Sequence, residues 1–223
     1  MLELIMAAFF AATPPSAVEI ARDRQDRPAL EKLAADASAA AAKASGDAEA
    51  QYRSAMAYSC LSEVAIELRD RKAGRQFAEQ GIKAAEKAVS MKPENAEYYR
   101  VLGTLYGQAV TDIMSGLSYG PKAKDAINKA VEKAPKSSMM YVARGVGNYY
   151  LPPQLGGGTK AAIPDFQKAI ELDAKNPEAY LWLGLSLRKE NRDNEARQAF
   201  TKALELNPNR VWTKQQLDKT PNK

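Results

Sequence analysis

The sequence predicts an all-α fold, a right-handed superhelix of stacked antiparallel helix hairpins. Three observations lead there. A short string built around a Lys-Ala pair recurs four times, at residues 86–93, 129–135, 167–174 and 201–208. Its anchors Ala88, Ala130, Ala169 and Ala203 lie 42, 39 and 34 residues apart, each five residues before a proline or, once, before Ala174. Self-similarity at such a period marks supersecondary units that bury their apolar faces only by stacking. Finally, no stretch alternates apolar and polar residues with the period of a strand, and no Val/Ile/Thr-rich run is bounded by turn residues.

Residues 1–17 form a separate segment, signal-like or disordered. The run Leu4-Ile-Met-Ala-Ala-Phe-Phe-Ala-Ala12 precedes Thr13-Pro14-Pro15-Ser16-Ala17. It is too short to span a membrane and reads as the hydrophobic region and cleavage zone of an export signal. Against that, Glu3 stands where a positive region belongs. Two readings follow: an exported protein, periplasmic or secreted, or a cytoplasmic one whose first helix packs on the first hairpin. No cysteine follows the run, which excludes a lipoprotein anchor, and the lone Cys60 suits either compartment.

Residues 18–46 are expected to be N-terminal capping helices, Ala-rich and poor in apolar area, with Ser45-Gly46-Asp47 as a stop and a new cap. Four hairpins follow, over 47–93, 96–135, 138–174 and 177–208. Residues 209–223 supply a capping helix and tail, in which Val211, Trp212 and Leu217 cover the last hairpin. Gly103 and Gly184 stand inside first helices, where Gly costs about 1 kcal/mol against Ala, so close contact between helices is the expected reason for them.

The fourth unit carries Tyr180-x2-Leu183-Gly184-x2-Leu187, then Ala196, Phe200, Ala203 and Pro208. This resembles the tetratricopeptide (TPR) pattern. The second unit matches its first helix with Tyr99, Leu102, Gly103 and Tyr106, but its second helix, with Ala123, Ile127 and Ala130, comes about eight residues late. The third keeps Tyr141 and Gly145, replaces Leu and an aromatic by Arg144 and Asn148, and reaches Ala162, Phe166 and Ala169 after an insertion. The first is degenerate, anchored by Tyr52, Ala55, Gly81 and Ala88, with helices longer than usual.

That insertion, Leu151-Pro-Pro-Gln-Leu-Gly-Gly-Gly158, ends one helix at Pro152 and Pro153, and Thr159 is expected to cap the next. A P-x-x-L-G-G linker of this kind is similar to one in bacterial TPR proteins that accompany periplasmic transporters. Pro164 is expected to delay or kink the helix that follows.

Catalytic chemistry is mostly excluded. Without histidine there is no imidazole base, no imidazole metal ligand and no Ser-His or Cys-His dyad. Cys60 lies in a helical pattern with Met56 and Val64 and reads as a small buried hydrophobe. Gly156-Gly-Gly-Thr-Lys160 lacks the residue order of a phosphate loop and no strand precedes it. No cofactor or metal is expected, and the chain reads as a non-enzyme. The net charge is +5, and Lys122, Lys124, Lys129, Lys133 and Lys136 gather around one helix. With Asp125 and Glu132 interspersed and no interleaved aromatics, this is expected to be a solvated face, not a nucleic-acid site.

The TPR resemblance implies that first helices line a concave groove. Its inner stripe maps to Arg100, Thr104 and Gln108 (after Glu97) in the second unit. In the third unit it maps to Met139, Val142, Val146, Tyr149 and Tyr150. In the fourth it falls on Leu181, Leu185, Arg188 and Lys189, after Glu178. A carboxylate clamp for peptide termini needs Lys and Asn where this chain has Val142, Val146, Leu181 and Leu185, so none is expected. The resemblance implies a scaffold binding a protein or peptide partner in this groove, or an accessory protein carrying an apolar small ligand there. The other reading is that these side chains pack against neighbouring helices or the N-terminal segment.

Overall fold

The structure, a computed structural model, describes residues 15–222 of the 223. The apolar run at 4–12, and with it most of the expected signal segment, lies outside the described residues. Eleven α-helices account for the described chain: α1 Ala17–Asp23, α2 Arg27–Lys43, α3 Ala48–Glu67, α4 Arg71–Met91, α5 Ala96–Gln108, α6 Ile113–Lys133, α7 Ser138–Tyr150, α8 Thr159–Leu172, α9 Pro177–Lys189, α10 Asp193–Leu206 and α11 Val211–Asp218. There is no strand among the described residues. Ser16 and Ala17, grouped above with the N-terminal segment, instead begin α1. The Ser16 hydroxyl accepts from the Glu19 amide while the Glu19 carboxylate accepts from the Ser16 amide, a capping box.

Short polar side chains cap seven of the eleven helices, α1 to α6 and α9. Asp47, Asn95 and Asn176 each stand in extended backbone just before α3, α5 and α9 and accept from amides of the first turn. Within each pair, α3/α4, α5/α6, α7/α8 and α9/α10, the helices pack antiparallel, and α5 lies against both α3 and α7. The result is a right-handed superhelix of hairpins. The anchor alanines Ala88, Ala130, Ala169 and Ala203 are all buried, at the seam where a larger side chain would push neighbouring helices apart. Gly145 explains its own identity: a Cβ there would sit 2.5 Å from Phe166 of α8, and at Gly184 one would sit 2.7 Å from Phe200 of α10.

The irregular spacing of the units has three structural forms. In the first unit both helices are long, 20 residues in α3 and 21 in α4, against 13 and 14 in α9 and α10. In the second, α5 has 13 residues but α6 has 21, so the excess projects as extra turns at the start of α6. The third unit takes its excess as a loop, with a 3-10 turn at Pro153–Leu155.

Two expectations for this loop are corrected. Gly158, at φ +87°, caps α8, and Thr159 is already the first helical residue, its hydroxyl donating to Glu190. Of the two outcomes expected of Pro164, a delay or a kink, the delay does not occur: α8 begins at Thr159 and runs through Pro164 to Leu172. The carbonyl that Pro164 leaves without a helical donor is that of Lys160, an exposed residue in the first turn.

Candidate functional site

Four aromatic side chains converge from three elements of the inner surface. Tyr149 and Tyr150 end α7, Trp182 lies in α9, and Trp212 opens α11. Trp182 is the centre, with ring centroids 5.7 Å from Tyr149, 5.9 Å from Tyr150 and 5.5 Å from Trp212, all tilted or edge-on. Edge-to-face geometry of this kind sets the positive ring edge against the negative face. The Lys189 ammonium stands 4.7 Å over the Tyr149 ring. Trp182 is buried, while Tyr150 is 63% exposed, so the cluster is held from below and open above.

The predicted stripe divides into three parts. Arg100, Thr104 and Gln108 are spent on helix packing. Arg100 is buried, donates to the Glu97 carboxylate at 2.7 Å and touches the Met56 sulfur of α3. Thr104 donates to the Arg100 carbonyl, and Gln108 donates to the Ser59 carbonyl at 3.1 Å. Val142, Leu181 and Leu185 are buried in the core of the third and fourth units, with Val146 packed beside them, and Met139 touches the Asn176 amide. The structure brings together only Tyr149, Tyr150, Arg188 and Lys189 at an open end. Arg188 is fixed there by two bonds to Gln216 of α11, 3.0 Å to the carbonyl and 2.8 Å to the side chain.

No sequence signal pointed to Arg210. It stands between α10 and α11, only 2% exposed, and it reaches across the groove to the first hairpin. It donates to Glu63 at 2.7 Å and to Glu67, both on α3, and its Nε lies 3.6 Å from Glu178 of α9 and 3.8 Å from Asp23 of α1. Arg22 of α1 joins with Glu178 at 3.2 Å, and Asn207 donates to Asp23 at 2.8 Å. Two guanidiniums thus face four carboxylates. Burial alone would lower the Arg210 guanidinium, yet Glu63, Glu67 and Glu178 hold it well above its ordinary value. Burial pushes Glu67 up to about 7 although Arg210 pulls it down, and neighbouring Glu63 raises it further.

Through these contacts α1 bridges the first hairpin and the last. Its Ala21 packs with Leu61 and Val64 of α3, and Gln25 just after it meets Gln215 of α11 at 3.0 Å. Among the described residues this segment packs against α3, and Tyr150 keeps 63% of its surface exposed. The Arg210 partners Glu63 and Glu67, four apart and so side by side on α3, are two like charges that call for a cation between them, but they do not say which one.

Remaining candidates resolve simply. Cys60 is buried and its thiol is pushed up to about 12 by burial, so it is inert. The α6 lysines do meet aromatics, Lys129 and Lys133 over the Tyr99 ring and Lys122 over Tyr106, but these rings are packed under the lysines rather than free to stack. Among the described residues no cluster of three or more acidic or cysteine side chains is placed to hold a metal, and no helix is long and apolar enough to cross a membrane.

No curated protein matches the chain. Solved structures share the fold: the HusA haemophore from Porphyromonas gingivalis superposes with a TM-score of 0.59 at 18% identity, covering 80% of this chain and 96% of its own. A thermophilic TPR protein from Thermus thermophilus gives 0.55 at 20% identity, covering 84% and 98%. In sequence, tetratricopeptide repeats match residues 156–189 and 177–210. The family described as regulator of microtubule dynamics protein 1-3 matches residues 5–151, well over half of the chain. The chain is a tetratricopeptide-repeat protein and belongs to the regulator of microtubule dynamics protein 1-3 family.

Proposed function

We propose that the protein is a non-enzymatic scaffold that takes a protein or peptide partner at the aromatic end of its groove. The observation that carries this is the pairing of a rigid base with an exposed ring: Trp182 is buried among four rings, those of Tyr149, Tyr150, Phe166 and Trp212, while Tyr150 presents most of its surface to solvent. Rigid aromatics at the centre of a patch, rimmed by Arg188 and Lys189, have the make-up of a protein recognition site. Catalysis has no supporting feature, since the one thiol is buried and the chain has no imidazole. The family is named for regulators of microtubule dynamics, which favours a polypeptide partner over the alternative of an apolar small ligand. Export remains the reading we adopt for the apolar run at 4–12, tested by sequencing the mature N-terminus.

Native mass spectrometry of the full chain purified gently from its own host tests the proposal. A bound polypeptide, lost when Tyr150→Ala and Lys189→Glu are introduced together, is the expected result. A bound small molecule with no polypeptide transfers the site to a carrier role and sinks the scaffold reading.

A further inference from the structure

Most of the large apolar side chains left in solvent gather on one edge, with Ile20, Met91 and Val211 elsewhere and less exposed. Among the described residues the most exposed are Ile113 at 82%, Met114 at 75% and Leu117 at 70%, followed by Leu155, Tyr150 and Leu68. All six lie at the turns inside the hairpins: Leu68 between α3 and α4, the triad at the start of α6, Tyr150 and Leu155 between α7 and α8. First helices of stacked hairpins run parallel, so these three turns share one edge of the superhelix. Links between neighbouring turns fit the arrangement, since Arg75 near the start of α4 bonds Thr111 and Asp112 at 3.3 Å. The triad sits in the first turns of α6, which at 21 residues matches α4 and exceeds the 14-residue α8 and α10, so the extra length carries the patch outward past the last two hairpins.

Basic residues predominate around the patch. Arg69, Arg71 and Lys72 flank Leu68, Lys122 and Lys124 follow the triad, and Lys160 follows Leu155, all exposed. The acids at the same two turns are already engaged. Asp70 caps α4 and pairs with Arg27 at 2.9 Å, and Asp112 caps α6 and pairs with Arg75. Apolar tips between basic flanks match the two layers of an anionic bilayer surface, where acyl chains accept the tips and headgroups the ammonium groups. A second copy docking by the same edge would bring together two surfaces with the same excess of basic charge, which costs energy rather than supplying it.

We propose that the hairpin-turn edge of the superhelix is a docking face for an anionic lipid bilayer, with Ile113, Met114 and Leu117 entering its interface. This goes beyond the groove reading and does not depend on it. The test is sedimentation of the full chain with vesicles of phosphatidylcholine plus phosphatidylserine, against vesicles of phosphatidylcholine alone. The expected result is binding to the first only. Replacing Ile113, Met114 and Leu117 together by Ser should weaken it by at least about tenfold, and Lys122→Glu with Lys124→Glu should also weaken it. These side chains make little of the core, so unchanged helical circular dichroism is expected; if the triple variant unfolds, the lysine pair decides. The proposal is overturned by absence of binding, or by binding that survives the substitutions, which would move attachment to another segment. It is overturned equally if the triple variant instead abolishes a dimer seen by sedimentation equilibrium.

Discussion

Arg210 and Glu67 meet across 143 residues of sequence, joining the turn before α11 to the end of α3. Both are almost wholly buried. Together with Arg22, Asp23 and Glu178 they close the two ends of the superhelix on each other through α1. Buried ion pairs thus join α1, α3 and α9 to the turn before α11.

Removing the guanidinium leaves buried carboxylates without a partner, the costly way to break such a cluster. Arg210→Met is expected to lose about 3–5 kcal/mol of stability in urea unfolding at neutral pH. A loss below about 1 kcal/mol would mean that the closure contributes little.

The same cluster sets a pH dependence. The folded-state pKa of Glu67 is about 7, above its ordinary 4.5, so the folded chain keeps a proton that the unfolded chain gives up. Its contribution to stability is therefore complete below pH ~4.5 and is lost as the pH rises to ~7. Unfolding midpoints followed across that window should fall for the wild type and fall less for Glu67→Gln, whose amide cannot ionise. Equal slopes for the two would place the titration elsewhere.

Two glycines of α7 make a matched pair. At Gly145 a Cβ meets Phe166 at 2.5 Å, whereas at Gly147 it meets nothing within 4 Å. Gly147→Ala should therefore gain up to about 1 kcal/mol from helix propensity. Gly145→Ala should lose about 1–3 kcal/mol to overpacking despite the same gain. Thermal melts of both variants decide the matter; a stabilised Gly145→Ala would contradict the close approach of α7 and α8.

What the sequence made legible was local or periodic. The anchor alanines, the Gly103 and Gly184 contacts and the Asn caps each depend on neighbours within one hairpin, so the residues announce themselves. The site was less legible, because a helical stripe gives a direction but not what lies there. Arg100 and Leu185 fall on the stripe as do Tyr150 and Lys189, yet α3 and the core take the first two. Arg210 was invisible because nothing in Asn209-Arg210-Val211 distinguishes it, and its partners on α3 stand more than 140 residues away.

The division of the stripe is itself measurable. Leu185→Ala, in the core, is expected to cost about 2–5 kcal/mol. Tyr150→Ala, mostly in solvent, should change stability by less than about 1 kcal/mol. Similar losses at both positions would mean that Tyr150 is part of the core.

Recognition at the aromatic end is tested most directly by a photo-crosslinking residue, Tyr150→benzoylphenylalanine, in the full chain inside its own host. The account predicts a covalent adduct with a polypeptide at position 150, and no adduct from the same substitution at exposed Lys202 on the far face of α10. A small-molecule adduct alone, or a polypeptide captured equally well from both positions, would contradict it.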